Sequence, residues 1–60
     1  MNRVKSALYN AGLYYWSAWV HTSDDEKAKH YFDRYTTIYA VIEDAGLEND
    51  FERWKEIQAV

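Results

Sequence analysis

The sequence predicts an all-α fold in which an antiparallel helical hairpin is followed by a short third helix. Three observations support this. The 60 residues contain no proline, and their apolar residues recur at spacings of three and four, which is the helical pattern. A helix-start signal at 23–26 divides the chain. Gly46 then supplies a helix stop, after which a new helical pattern begins. The predicted helices span about 2–20, 24–45 and 49–58, within a single domain 1–60.

The first predicted helix contains the most unusual stretch of the chain, eighteen residues from Ser6 to Ser23 without Asp, Glu, Lys or Arg. A helix that is apolar on nearly every side is normally buried on more than one side. Its apolar residues form two stripes, of which the alanine-rich one is assigned to the contact within the chain because alanine permits close helix approach. That first stripe is Val4, Ala7, Leu8, Ala11, Tyr15, Ala18 and Trp19, and the second is Tyr9, Leu13, Trp16 and Val20.

The second predicted helix has clear signals at both ends. Ser23 is expected to cap it, with Glu26 reaching back in a capping box. Gly46 can adopt the left-handed conformation that ends a helix, and Leu47 is expected to fold back on Ile42 in a Schellman closure. The apolar face between these ends consists of Ala28, Tyr31, Tyr35, Ile38, Ile42 and Ala45.

The third predicted helix is short, beginning near Asn49 as a cap and carrying Phe51, Trp54 and Ile57 on one side. The link at 21–23 is so short that the first two helices must be antiparallel. The third helix then returns alongside the start of the first. Gly12, near the alanine-rich stripe, is expected to permit the close approach of another helix.

The charges agree with this arrangement. Arg3 and Lys5 lie at the start of the chain, and the hairpin brings them to the acidic region at 43–56, in a protein whose net charge is −3. Exposed pairs of this kind contribute only about 0 to 1 kcal/mol each, so they favour an orientation more than they stabilise it.

A chain of this length buries only about 60% of its unfolded surface and is marginally stable alone. It has no Cys to form a disulfide, and aromatic residues make up 18% of it. We therefore expect a homodimer in which two hairpins form a four-helix-type bundle, or binding to another protein. The expected partner-binding residues are Tyr9, Leu13, Trp16 and Val20, of which the third helix is long enough to shield Tyr9 but leaves Trp16 and Val20 uncovered.

No stretch of the chain carries a catalytic, cofactor or metal signature. There is no glycine-rich phosphate loop and no nucleophile elbow, so we expect no enzyme and no cofactor. Glu26, His30 and Asp33 share one face of the second helix, but three ligands on one helix make an incomplete metal site. A solvated face with ion pairs is the favoured interpretation.

The charge balance argues against direct nucleic-acid binding, because seven basic residues are scattered among ten acidic ones. The apolar run at 7–20 is too short to cross a membrane, and the N-terminus does not resemble a signal peptide, so we expect a cytoplasmic protein. A small non-catalytic interaction or regulatory protein is the favoured function. The alternative is an acidic inhibitor, of the kind that some mobile elements encode, which blocks a nucleic-acid site on a partner through Glu43, Asp44, Glu48 and Asp50.

The segment ALYNAGLYYW followed by DDEKAKHYFDRY resembles the helix pair of a tetratricopeptide repeat, with Gly12, Tyr15, Ala28 and Phe32 in comparable roles. The spacing from Gly12 to Ala28 is about one turn longer than in that repeat, and its terminal proline is absent. We therefore attribute the resemblance to the common packing of helical hairpins and assign no family.

Overall fold

The computed structural model describes residues 3–59 and contains three helices within them, with no strand. The helices are α1 (Arg3–His21), α2 (Asp25–Asp44) and α3 (Glu48–Ala59). Helices α1 and α2 pack closely along their lengths as a hairpin, and α3 contacts both of them. The predicted fold class is therefore confirmed, with each described helix end within two residues of its predicted position.

The connection between α1 and α2 shows that the predicted cap of α2 is wrong. Asp24, not Ser23, is the N-cap: its carboxylate accepts a hydrogen bond from the Lys27 amide at 3.0 Å. The Thr22 hydroxyl accepts from the Asp24 amide at 3.2 Å, and Asp24 is still extended, with φ −93° and ψ 118°. The helix therefore starts one residue later than a cap at Ser23 would allow, and a carboxylate occupies the positive end of its dipole.

The second turn is the predicted Schellman closure. Gly46 has a φ of 73°, the Leu47 amide donates to the Ile42 carbonyl at 3.0 Å, and the Gly46 amide donates to the Glu43 carbonyl at 2.9 Å. The next helix begins immediately, since the Phe51 amide donates to the Leu47 carbonyl at 2.8 Å. Asn49 consequently lies inside α3 and does not cap it, which corrects the predicted start.

The core forms where the three helices meet. Phe51 of α3 and Ile42 of α2 are fully buried, and Tyr9 of α1 is 3% exposed. Gly12 makes this possible, because a Cβ atom there would lie 2.9 Å from Phe51 Cζ and 3.5 Å from Ile38 Cγ2. The Phe51 ring thus occupies the space that a side chain at position 12 would fill, as the expected close approach requires.

The two apolar stripes of α1 do not separate, as predicted, into one that is buried within the chain and one that is left for a partner. Tyr15 and Trp19 of the first stripe do pack on α2, with Trp19 5.0 Å from the Phe32 ring, but Val4 and Ala7 are exposed. Tyr9, from the second stripe, is in the core, where α3 shields it as expected. The buried face of α1 is centred between the stripes because α2 covers one side of it and α3 the other.

None of the described helices combines the length and the apolar character needed to cross a membrane.

Candidate interaction surface

Tyr9, Asp50 and Lys5 form a polar cluster that attaches α3 to α1. The Tyr9 hydroxyl donates to Asp50 Oδ2 at 2.8 Å, and Lys5 Nζ lies 3.1 Å from the same oxygen. The Lys5 ammonium is also 5.4 Å from the centroid of the Tyr9 ring. Tyr9 therefore has both its ring and its hydroxyl satisfied within the chain, and it is not available to a partner.

The cluster changes the pKa of both acidic groups. Burial, followed by the hydrogen bond to the Asp50 carboxylate, raises the pKa of Tyr9 from 10.0 to about 12. The hydrogen bonds from Tyr9 and then from Lys5 lower the pKa of the Asp50 carboxyl. The folded state thus favours a neutral phenol beside an ionised carboxylate.

We expect the free energy of unfolding to fall as the pH rises from about 10 to 12. The folded state holds the Tyr9 proton more tightly than the unfolded chain does, so this stabilisation is complete below pH 10 and is lost as the pH approaches 12. Its size is on the order of 2 kcal/mol. Urea unfolding at a series of pH values measures it. Tyr9→Phe should flatten the decline, and an unchanged slope in that variant would contradict the assignment.

Lys55 is an almost fully buried cation, 8% exposed, on the inner side of α3. Its ammonium donates to the Tyr35 hydroxyl at 2.9 Å and to Glu52 Oε1 at 3.2 Å. The nitrogen lies 4.8 Å from the Trp16 ring centroid, 5.2 Å from that of Tyr35 and 5.5 Å from that of Phe51. Its position is therefore fixed by all three helices.

These contacts keep the lysine charged. Burial acts to lower the pKa of Lys55, but the hydrogen bonds to Tyr35 and Glu52 outweigh it, and the pKa is raised. Three ring faces within 6 Å of a desolvated ammonium each add a cation–π attraction. Lys55 therefore stabilises the fold as a cation, and it is not poised to act as a neutral nucleophile.

The sequence analysis did not identify Lys55 as a buried residue, although helix geometry indicated that position 55 could face the core. A step of three residues turns a helix by about 300°, so Phe51, Trp54 and Ile57 drift steadily around α3. A step of four turns it by about 400°, or about 40° beyond a full turn. Around the helix axis, position 55 therefore lies closer to Phe51 than position 57 does. In the structure Ile57 is exposed and Lys55 is buried, because the apolar stem of a lysine can pack while its charge finds partners.

These contacts give the predicted partner-binding residues different degrees of burial. Tyr9 is in the core and Trp16 is half-buried beneath the Lys55 ammonium, whereas the sequence predicted an uncovered Trp16. Leu13 is half-buried and Val20 is 53% exposed. What we name the α1 outer face consists of exposed Tyr14 and Val20 and half-buried Leu13, Trp16 and Ser17.

A shallow groove of about 450 Å³ runs along part of this face. Leu13 and Tyr14 border it, and Ser17 and Ala18 form a low floor that a second helix could approach closely. The face carries no Asp, Glu, Lys or Arg, because it lies within the uncharged segment 6–23. Asn10 and His21 also line the groove, and His21 Nδ1 lies 2.8 Å from the Ser17 carbonyl oxygen.

The four acidic residues of the alternative function do not form one free surface. Glu43 and Asp44 are exposed at the end of α2, but Asp50 is bonded to Tyr9 and Lys5. Glu48 is half-buried, and its Oε2 atom is buried without a hydrogen-bond partner among residues 3–59. The negative charge available to imitate phosphate is thus smaller than the sequence implied.

Within residues 3–59, no group of three or more His, Asp or Glu side chains is placed to hold a metal ion. Glu26, His30 and Asp33 are each exposed on α2 and do not form such a group. The Ser17 hydroxyl oxygen lies 3.5 Å from His21 Nδ1 at the exposed end of α1, and the same nitrogen lies closer, at 2.8 Å, to the Ser17 carbonyl oxygen.

No protein-family model, curated protein or solved structure matches this chain. The class of protein that its fold defines is a small three-helix α protein with an uncharged outer face on its first helix.

Proposed function

We propose that this protein is a non-catalytic interaction protein of the cytoplasm that self-associates through the α1 outer face. The main support for the proposal is the absence of Asp, Glu, Lys and Arg from a partly exposed helix face. The outward sides of α2 and α3 carry many charged residues, whereas the outward side of α1 presents Tyr14 and Val20 with no charged neighbour between Lys5 and Asp24. Exposed apolar surface rimmed by polar residues is typical of interaction sites.

The absence of charge from this face fits a second copy of the chain as the partner, because of the symmetry of a dimer. In a two-fold dimer each residue near the axis meets its own counterpart, so a charged face would place like charges together. An uncharged face avoids that repulsion. The low floor at Ser17 and Ala18 lets two α1 helices approach closely, and pairing the hairpins would complete a four-helix-type bundle.

The gain from this pairing is large relative to the stability of so small a chain. Fully burying an aliphatic side chain contributes roughly 1.5 to 3 kcal/mol, and each side chain is buried twice in a two-fold dimer. The fully or nearly fully buried apolar side chains of the described chain are Tyr9, Ile42 and Phe51. Association would therefore supply the burial that one copy lacks.

Val20→Glu tests the proposal. The wild-type protein is expected to have twice the 7.2 kDa mass of one chain, and the variant is expected to be monomeric because a glutamate would meet its counterpart across the axis. Light scattering on a size-exclusion column, over the micromolar to millimolar range, measures the mass. Val20 is preferable to Trp16 for this test because Trp16 also contacts Lys55 within the chain.

Val41→Glu is the matched control, since Val41 is 51% exposed, close to the 53% of Val20, and lies on α2. It should leave the mass at the dimer value. A folded wild type that stays monomeric at every concentration, or equal dissociation by both variants, would reject self-association through this face. The acidic inhibitor would then be the function to pursue, beginning with neutral replacements of Glu43 and Asp44.

A further inference from the structure

A second groove lies between α1 and α3 and meets the shallow groove of the α1 outer face at Asn10, which lines both. Its volume is about 560 Å³, within the roughly 300 to 1,000 Å³ of small-molecule pockets. Tyr9, Trp54 and Ile57 provide apolar walls, and Lys5, Asp50 and Arg53 supply the charges around it. This mixture of aromatic walls with a few charged groups is typical of ligand sites.

The walls of this groove are held in place by the core. The Tyr9 and Trp54 rings are 5.4 Å apart, and Trp54 also stacks on buried Phe51 at 6.2 Å. The hydrogen bond to Asp50 fixes the Tyr9 hydroxyl. A ligand would therefore meet aromatic walls that are already ordered, which limits the affinity lost to side-chain ordering there.

The groove is locally basic in an acidic protein. Lys5 and Arg53 carry two positive charges against the single negative charge of Asp50, whereas the whole chain has a net charge of −3. Lys5 is engaged by Asp50. The Arg53 guanidinium has no hydrogen bond or ion pair within residues 3–59, although its charge helps to lower the pKa of Asp50. Arg53 thus presents donors beside an indole ring.

We propose that this groove binds a small organic carboxylate with an aromatic or branched aliphatic body. The body would pack against Trp54 and Ile57, and the carboxylate would accept two parallel hydrogen bonds from the Arg53 guanidinium. Nine residues line the groove, fewer than the about 20 to 30 on each side of a stable protein interface. Its scale therefore favours a small ligand over an acidic segment of another protein.

The test is an NMR titration of the wild-type protein with 3-phenylpropionate and with its neutral amide, 3-phenylpropionamide. We expect saturable shifts of the Arg53 and Trp54 side-chain resonances, with a dissociation constant on the order of 1 mM. The amide should bind at least about tenfold more weakly, because hydrogen bonds to a charged acceptor are the stronger ones.

Two arginine variants sharpen this test. Arg53→Gln should weaken carboxylate binding by about tenfold or more, while Arg34→Gln, which removes an exposed arginine of α2 that does not line the groove, should leave it unchanged. The proposal is overturned by an absence of saturable binding, by equal affinity for acid and amide, or by shifts that centre on the α1 outer face. Indifference to Arg53→Gln would overturn it as well. These measurements do not use the oligomeric mass, so the proposed ligand site can be rejected without rejecting the proposed self-association, and the reverse.

Discussion

Replacing Phe51 with alanine is expected to unfold most of the protein. Phe51 is fully buried, and its ring lies 5.1 Å from that of Tyr9 and 6.0 Å from that of Tyr39. Truncating a buried phenylalanine costs about 3 to 5 kcal/mol. A 60-residue chain has a total stability on the order of 3 to 9 kcal/mol. The loss is the more severe because the ring fills the space left by Gly12, so its removal opens the junction of all three helices.

Phe32→Ala is the control, because it removes the same side chain from an exposed position where the ring contacts Trp19 at 5.0 Å. We expect it to cost about 1 kcal/mol or less, since surface substitutions have small effects. Urea unfolding followed by circular dichroism measures both variants. Equal losses in the two variants, or a Phe51→Ala protein as stable as the wild type, would show that the core is not where the structure places it.

Lys55→Glu is expected to be nearly as damaging, although it changes only one charged residue for another. The new carboxylate would face three aromatic rings whose faces are negative, and it would lie one helical turn from Glu52. Placing an uncompensated charge at a site that is 8% exposed costs roughly 3 to 5 kcal/mol. We therefore expect the helical signal to be largely lost, with α3 detached from the hairpin.

Two further variants separate charge from packing at this site. Lys55→Met keeps an apolar stem of similar length and loses the cation, so its cost should be smaller, about 1 to 2 kcal/mol. Lys29→Glu makes the same charge reversal at an exposed position of α2 and should cost less than about 1 kcal/mol. The role assigned to the buried cation is refuted if Lys55→Met is as unstable as Lys55→Glu, or if Lys55→Glu matches Lys29→Glu.

The sequence predicted the elements of the fold well and the candidate surface only in part. The Gly46 closure and the antiparallel hairpin both followed from residues within one or two turns of one another. The start of α2 was misplaced by one residue because Ser23 and Asp24 are both good caps. Choosing between them requires the Thr22 hydroxyl, which holds Asp24 extended.

Local signals therefore determined three helices, two turns and an uncharged face, since capping, periodicity and glycine conformation depend on neighbours in the chain. Only the tertiary structure determined which apolar residues of that face stay exposed. The position of α3 brings Asp50 to Tyr9, Phe51 to Gly12 and Lys55 to Trp16, which buries one predicted interface residue and half-covers another. That position depends on how three helices share one small core, and no single stretch of sequence specifies it.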